Sequence, residues 1–124
     1  MKILITDYDF PDLDLERGIF AAANIEVATA QCRSEEAVIE AARGCSALLV
    51  QYAPVTERVL AALPQIGLVS RFGAGYDTVD PAACARHGVW LSNSPDYGVG
   101  EVATHALAMA LSGAIGPCGL IIRS

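Results

Sequence analysis

Between residues 67 and 92 the chain reads GLVSRFGAGYDTVDPAACARHGVWLS, which contains a strand, a turn, a helix and a second strand in succession. The runs Gly67–Phe72 and Val89–Ser92 have the composition of short buried strands. The pair Asp80–Pro81 is typical of a helix start, because the carboxylate caps the first turn and proline fits its first position. Gly88 is placed to end that helix. The segment therefore predicts two parallel strands joined by a helix.

The same alternation of β-rich and Ala-rich runs occupies the rest of the chain. Further strands are predicted at Lys2–Thr6, Glu26–Ala30 and Ala47–Gln51. The further helices are predicted over Leu13–Ala23 with Leu15 and Ile19 at helical spacing, over 35–42 after the N-cap Ser34, over Glu57–Leu63 after the N-cap Thr56, and from Gly98 or Val99 to about Ser112. We therefore expect a flavodoxin-like α/β fold, with an open five-stranded parallel sheet in the order 2-1-3-4-5 and helices on both faces.

The length and composition fit one folded domain. The chain has 124 residues, of which 53% are hydrophobic and 18% are charged, so it can bury a core. Several glycines and Pro117 follow Ser112 closely and oppose a long continuation of the last helix. We expect residues 1–112 to form the domain and residues 113–124 to form a Gly/Pro-rich tail of different character.

Charge, hydropathy and cysteine spacing exclude several kinds of partner. Eight Lys+Arg against fourteen Asp+Glu give a net charge of −6 without a basic patch, so no nucleic acid partner is expected. No apolar run reaches the roughly 18 residues of a membrane span, and the N-terminus lacks a signal-peptide pattern. Four cysteines without Cys-x-x-Cys spacing indicate reduced thiols in a cytoplasmic protein, not a zinc site.

The turn between residues 71 and 80 is the best candidate for a binding site. Gly73 and Gly75 let the backbone approach a ligand closely, and their neighbouring N–H groups can hold a carboxylate. Thr78 stands where the dinucleotide-binding fingerprint has its third glycine, so the turn is not predicted to bind a dinucleotide. A tight turn without a ligand is the alternative interpretation.

Two other classes with this fold are disfavoured. Asp7 and Asp9 follow the first strand, as acids do in two-component receiver domains. Such domains also need an Asp after the third strand and a Lys after the fifth, where this chain has Gln51-Tyr52 and Ser92-Asn93. A flavodoxin-type FMN site needs a Ser/Thr-rich phosphate loop after the first strand, and the acidic YDFPDL loop would repel phosphate.

Three features in order resemble the D-2-hydroxyacid dehydrogenase family: the turn RFGAGYDTVD, the Ala-rich helix after it, and HGVWLSNSPDYGVGEVATHALAMAL. The resemblance covers residues 1–111 and places the chain in the substrate-binding domain, which precedes a Rossmann NAD domain in that family. It implies NAD(P)-dependent interconversion of a 2-keto acid and a D-2-hydroxy acid in intact relatives. By the same resemblance, the backbone at Ala74 and Gly75 would bind the substrate carboxylate, Tyr52 would line the substrate pocket, and Val102 would lie near the cofactor.

The hydride-transfer residues of the family are an Arg, a His and a Glu or Asp, which lie in or beyond the NAD domain. No counterpart is found here, so we expect a chain truncated before that domain, with no catalytic residue, no bound NAD(P) and no turnover alone. His105, four residues after Glu101, is expected on a helix surface, and His87 at a helix C-terminus. The alternative function is a dimeric small-carboxylate-binding or assembly module without catalysis.

The fifth helix, Val99–Leu111, is predicted to be apolar on nearly all sides. A surface helix needs only one apolar stripe, and monomers seldom expose a large apolar patch. We therefore expect a homodimer through this helix, with exchange of the helix between two copies as one form of it. The alternative is that the helix folds back on its own sheet and the tail covers the rest.

Overall fold

The structure, a computed structural model, describes residues 1–114. Five parallel strands form one sheet in the order β2-β1-β3-β4-β5, which confirms the predicted fold class and strand order. The strands are β1 (Lys2–Ile5), β2 (Glu26–Thr29), β3 (Ala47–Val50), β4 (Leu68–Arg71) and β5 (Trp90–Ser92). The helices are α1 (Asp14–Ala22), α2 (Glu35–Ala41), α3 (Glu57–Ala62), α4 (Pro81–Arg86) and α5 (Val99–Ala114). Residues 115–124 of the predicted tail lie outside the described residues, and α5 includes residues 113 and 114.

The direction of the chain crossovers places the helices on both faces of the sheet. The connection from β1 to β2 moves one way along the sheet, whereas all later connections between strands move the other way. Because such crossovers are right-handed, α1 lies on one face and α2, α3 and α4 lie on the other. The main core lies under these three helices and includes Leu4, Leu48, Val50 and Val69 of the strands and Val38, Val59, Leu60 and Cys84 of the helices.

Two of the predicted helix caps are present. The Ser34 hydroxyl accepts the N–H of Ala37 at 3.3 Å, and the Asp80 carboxylate accepts the N–H of Ala83 at 3.0 Å. Gly88 follows α4 with a φ of 67°, a left-handed conformation that glycine adopts without strain. These short-range signals therefore place the starts of α2 and α4 and the end of α4.

The start of α3 is as predicted, but the predicted cap makes no side-chain hydrogen bond to the helix. Thr56 occupies the N-cap position, but its side chain makes no cap hydrogen bond and its hydroxyl donates to the Glu35 carboxylate of α2. The charge-assisted bond to Glu35 fixes the Thr56 side chain in an orientation in which its hydroxyl oxygen accepts no N–H group of the first turn. Arg58 of α3 also pairs with Glu35 at 3.0 Å and with Glu36, so polar groups hold α2 against α3.

The face of the sheet that carries α1 is only partly covered. Ile3, Leu68 and Trp90 belong to this face, because the strand register aligns them across the sheet. Ile3 is 2% exposed near α1, whereas Leu68 is 38% exposed and Trp90 is 79% exposed. Parallel sheets are normally covered on both faces, so the open area on β4 and β5 is an unusual surface.

The first helix has its expected extent but not a buried apolar side. Leu15 and Ile19, which have helical spacing, are 73% and 60% exposed. The helix is held instead by Leu13, which is buried directly before its start, and by the half-buried Phe20. The side of α1 that carries Leu15 and Ile19 is therefore exposed to solvent.

The fifth helix extends away from the domain. Residues 100–112 are all exposed, which contradicts the alternative in which the helix folds back over its own sheet. The expectation of an apolar surface on nearly all sides is also wrong, because the polar residues fall on one side of the helix. Those polar residues are Glu101, Thr104, His105 and Ser112.

The cysteines of the described residues agree with the prediction. Cys32, Cys45 and Cys84 are buried and free, and burial raises the pKa of each thiol. Cys118 lies outside the described residues. No helix in residues 1–114 is long and apolar enough to cross a membrane.

Glu57 joins α3 to α4 through two basic side chains. Its carboxylate lies 2.6 Å from His87 Nε2 and 2.6 Å from Arg86 Nη2. The hydrogen bond from His87, followed by that from Arg86, lowers the pKa of the Glu57 carboxyl from its usual value of 4.5. A carboxyl whose pKa is lower in the folded state adds stability above its unfolded pKa and loses it as the pH falls through the folded pKa.

The substitution Glu57→Gln should therefore destabilise the protein more at neutral pH than in acid. We expect the difference in free energy of unfolding between wild type and variant to shrink as the pH falls below the usual carboxyl pKa of 4.5. Urea unfolding at a series of pH values measures this difference. Glu16→Gln is the control, because Glu16 has no ion-pair partner among the described residues. A Glu57→Gln effect that does not change with pH would contradict the expectation.

Candidate functional site

The loops that follow β1 and β3 are fastened together by the carboxylate of Asp7. This residue is 0% exposed and accepts the backbone N–H groups of Gln51 at 3.2 Å, Tyr52 at 2.7 Å and Ala53 at 3.1 Å. The Thr6 hydroxyl donates to it as well, at 2.8 Å. Hydrogen bonds from N–H groups to a charged carboxylate are strong, so Asp7 positions the loop that carries Tyr52.

The loops that follow β3 and β4 are joined by a short parallel bridge. Val55 and Val79 pair with each other, and both are buried. The Val55 N–H donates to the carbonyl of Thr78 at 2.8 Å, and the Asp80 N–H donates to the carbonyl of Val55 at 3.0 Å. The bridge therefore fixes the base of the turn that contains Gly73 and Gly75, which we call the glycine turn (residues 72–79).

The loop that follows β5 is attached to the same turn. The side-chain amide of Asn93 donates to the carbonyl of Ala74 at 2.8 Å, and the Ser94 N–H donates to the carbonyl of Gly73 at 3.0 Å. The loops at the carboxyl ends of four strands thus form one connected edge. Open α/β sheets bind their ligands at this edge.

The glycine turn presents free backbone donors. In the described part of the chain, the N–H groups of Ala74 and Gly75 donate to no other protein group, and both residues are exposed. Gly73 has a φ of 107°, and a Cβ there would meet the Arg71 guanidinium. At Gly75 the nearest atom to such a Cβ would be an Asp77 carboxylate oxygen at 3.7 Å. Adjacent free N–H groups on an exposed turn can bind an anionic oxygen.

Arg71, the last residue of β4, brings a positive charge to the turn and was not identified from the sequence. Its Nη1 donates to the carbonyl of Phe72, and its Cζ lies 6.0 Å from the centre of the Tyr52 ring. Its Nε is buried without a hydrogen-bond partner in the described structure, which is uncommon for a buried polar group. The signal in the sequence is a cation at a strand end, directly before a glycine-rich turn.

Two adjoining cavities flank the glycine turn, and Tyr97 belongs to both. The first has a volume of about 290 Å³ and is lined by Phe10, Gln51, Phe72, Gly73, Ser94 and Tyr97. The second has a volume of about 400 Å³ and is lined by Ala74, Pro95, Tyr97 and Gly98 together with Val99, Val102, Ala103 and Ala106 of α5. The cleft is therefore largely apolar, with the backbone of the turn at its centre.

Of the residues singled out from the sequence, Ala74 and Val102 line the cleft, whereas Tyr52 and Gly75 line neither of its two cavities. Ala74 and Val102 line the same cavity, although they are far apart in sequence. Tyr52 is 52% exposed beside Arg71, and its hydroxyl donates to Asp9 at 3.4 Å. Sequence reasoning missed Tyr97 as well as Arg71, because an aromatic residue in a loop carries no spacing signal.

Neither histidine lines the cleft. His87 Nε2 is bonded to Glu57 as described, and His105 lies on the exposed polar side of α5. Within residues 1–114, no group of three or more His, Cys, Asp or Glu side chains is placed to hold a metal ion. The polar groups at this edge of the sheet are therefore the exposed backbone N–H groups of the glycine turn, with the Arg71 guanidinium beside the turn.

Comparison with known proteins identifies the family. Residues 3–113 match the family described as D-isomer specific 2-hydroxyacid dehydrogenase, catalytic domain. The chain belongs to this family. D-3-phosphoglycerate dehydrogenase of Synechocystis sp. is 31% identical over 113 residues, which are 90% of this chain and 20% of that protein. The chain thus spans about a fifth of the length of this curated relative.

Solved structures of dehydrogenases share the fold. A 3-phosphoglycerate dehydrogenase of Entamoeba histolytica with bound NAD+ has a TM-score of 0.74 at 26% identity, over 88% of this chain and 37% of that chain. The apo structure of D-lactate dehydrogenase from Escherichia coli has a TM-score of 0.73 at 22% identity, over 90% of this chain and 37% of the other. This dehydrogenase domain therefore corresponds to one part of each larger protein.

Replacing Asp7 should destabilise the domain strongly. We expect Asp7→Ala to lower the free energy of unfolding by about 3 kcal/mol or more, because backbone N–H groups near the core lose their charged acceptor. Urea unfolding measures the loss. Asp9→Ala is the control and should cost less than about 1 kcal/mol, since Asp9 is exposed. Equal losses in the two variants would show that Asp7 does not hold the loops together.

The two glycines of the turn should differ in their tolerance of alanine. We expect Gly73→Ala to lower the free energy of unfolding by about 1–3 kcal/mol, because alanine is strained at that φ and meets Arg71. Gly75→Ala should change it by less than about 0.5 kcal/mol, because its Cβ makes only an ordinary contact. Thermal unfolding of both variants checks this order, and the reverse order would contradict the described turn.

Proposed function

We propose that this chain is the substrate-binding half of an NAD(P)-dependent D-2-hydroxyacid dehydrogenase, and that its glycine turn holds the carboxylate of a small 2-hydroxy or 2-keto acid. The observation that carries the proposal is the pair of free, exposed N–H groups at Ala74 and Gly75. They lie at the edge of the sheet where this fold binds ligands. Family membership supplies the class of reaction.

The carboxylate accepts hydrogen bonds from the two N–H groups, and Arg71 adds a positive charge to the same edge. Charge-assisted bonds of this kind offset the loss of water around an anion. The Tyr52 ring lies against the Arg71 guanidinium, so Tyr52 borders the substrate on the side of Arg71. The cavity that contains Phe10, Phe72 and Tyr97 receives the substituent of the acid, so this apolar wall selects among acids.

Val102 and its neighbours on α5 form an apolar wall that suits one side of a nicotinamide ring. When bound in an intact enzyme, NAD(P) supplies or takes the hydride, and the residues of this chain orient the acid beside it. The described residues include no glycine-rich phosphate loop between a strand and a helix of the dinucleotide-binding kind. We infer that this chain alone retains no NAD(P) and has no turnover, and that no residue of it is catalytic.

Two further properties belong to the proposal. The exposed apolar side of α5 favours a homodimer through residues Val99–Leu111, including a form that exchanges the helix between copies.

The buried free thiols suit the reducing cytoplasm. The net charge of −6 disfavours nucleic acid as a partner.

Calorimetric titration of the purified chain with glyoxylate, pyruvate and hydroxypyruvate tests the anion site. We expect at least one acid to bind and Gly75→Ala to weaken that binding tenfold or more, because its Cβ occupies the path of the carboxylate. NADH absorbance followed in the same mixtures should show no turnover.

Gly67→Ala is the matched control, since a Cβ at Gly67 meets no atom within 4 Å and the residue lies outside the cleft. This variant should bind the acid as the wild type does. Failure of every acid to bind would overturn the carboxylate site, and oxidation of NADH by the chain alone would overturn the proposed inactivity.

The second candidate is a dimeric small-carboxylate-binding or assembly module without catalysis. It is favoured by the absence of a histidine from the cleft in the described residues. The two candidates separate when this chain replaces its matched segment in the Synechocystis dehydrogenase. Turnover of a 2-keto acid by that chimera supports the dehydrogenase half, whereas acid binding without turnover supports the module.

A further inference from the structure

We propose that the acid bound by this chain has an aromatic side chain, and that the ring of that side chain occupies the smaller of the two cavities beside the glycine turn. This cavity of about 290 Å³ is lined by Phe10, Gln51, Phe72, Gly73, Ser94 and Tyr97, and we call it the aromatic cavity. The assignment rests on the proposed function, because it takes the carboxylate of the acid to lie at the N–H groups of Ala74 and Gly75.

Three aromatic rings from three separate loops line the aromatic cavity. Phe10 lies in the loop after β1, Phe72 directly follows β4, and Tyr97 lies in the loop after β5. The ring centres of Phe10 and Phe72 are 5.3 Å apart at an interplanar angle of 80°, which is the edge-to-face arrangement that aromatic pairs prefer. Contacts between rings stabilise more than their apolar area alone, so this lining favours an aryl group over an alkyl group.

The two phenylalanines are held in place by bonds within the described chain. Gln51 is buried directly after β3, and its amide oxygen accepts the N–H of Asp9 at 2.9 Å while its amide nitrogen donates to the Asp9 carboxylate. These bonds fix the loop immediately before Phe10. The N–H of Phe72 donates to the carbonyl of Val50 at 2.8 Å. The aromatic wall is therefore formed before a ligand arrives, which lowers the entropic cost of binding.

The size and position of the aromatic cavity suit one ring on a short link. An apolar cavity of about 150 Å³ is enough to hold benzene. The aromatic cavity exceeds that volume and so has room for a ring and the carbon that joins it to the acid. Gly73 belongs to the lining and directly precedes Ala74, so the cavity opens beside the N–H groups proposed for the carboxylate.

The charges around the aromatic cavity disfavour a second anionic group on the acid. None of its lining residues is charged, and a charged group loses free energy when it enters an apolar site. Asp9 and Asp12 lie on either side of Phe10 in the sequence and would repel a phosphate. The Arg71 guanidinium lies beside Gly73 but does not line the cavity. The expected acid therefore differs from the one that gives the curated D-3-phosphoglycerate dehydrogenases their name.

Calorimetric titration of the purified chain with three D-2-hydroxy acids tests this assignment. The acids differ in what their third carbon carries: a phenyl ring in D-3-phenyllactate, a phosphate group in D-3-phosphoglycerate, and only hydrogen in D-lactate. We expect D-3-phenyllactate to bind more tightly than D-lactate by a factor of about ten or more, because burial of the ring adds to the shared carboxylate contact. D-3-phosphoglycerate should bind no more tightly than D-lactate.

The substitution Phe10→Ala removes one ring of the wall. Phe10 is 37% exposed, so its truncation leaves the core intact. We expect this variant to bind D-3-phenyllactate about fivefold more weakly and D-lactate as the wild type does. Trp90→Ala is the matched control, because it removes another exposed ring that lines neither cavity, and it should change neither affinity. Circular dichroism and thermal unfolding confirm that both variants are folded.

Failure of this assignment differs from failure of the proposed function. If no acid binds, or if Gly75→Ala leaves every affinity unchanged, the carboxylate site is overturned and the aromatic assignment with it. If the three acids bind equally, or if D-3-phosphoglycerate binds most tightly, the carboxylate site stands and the aromatic assignment is overturned. Tight binding of D-3-phenyllactate that Phe10→Ala leaves unchanged also overturns it, since the ring then lies outside the aromatic cavity.

Discussion

One buried carboxylate organises the edge of the sheet on which everything else is built. Burying a charge is costly unless hydrogen bonds satisfy it, and Asp7 meets that condition by accepting N–H groups from consecutive residues of the loop after β3. That loop has no regular structure of its own, so its path depends on Asp7. The same loop supplies Val55, whose bridge to Val79 fixes the glycine turn. The position of the glycine turn relative to the sheet can thus be traced to the end of the first strand.

Features with local signals could be predicted from the sequence, and features that depend on long-range partners could not. Alternating strands and helices gave the sheet order, and Asp80–Pro81 gave the start of α4. Thr56 has the local signal of a cap, but its hydroxyl donates to Glu35, 21 residues away, and its oxygen accepts no N–H group of the first turn. Asp7 could be read as a reactive acid, because the N–H groups that occupy it lie 44 to 46 residues further along the chain. The glycine turn was found from its composition, whereas Arg71 was missed because a cation at a strand end does not by itself show where its side chain will point.

For the fifth helix, residue spacing predicts which side chains share one side, but it does not predict the direction in which the helix leaves the domain. The separation of its polar residues from its apolar ones follows from helical periodicity and was available in the sequence. The direction in which the helix leaves the domain was not, since it depends on the bonds of Asn93 and Ser94 to the turn. The helix therefore has one apolar side in the cleft and another in solvent.

Because the loop before α5 is bonded to the glycine turn, the base of the helix is fixed beside the proposed anion site. For a rigid rod about 24 Å long, a rotation of about 10° at the base moves the far end by roughly 4 Å. A ligand that tightens the backbone at Ala74 would also restrict the carbonyl to which Asn93 is bonded. Binding of a ligand at the glycine turn would thus change the angle at which α5 leaves the domain, and the far end of the helix would move the most.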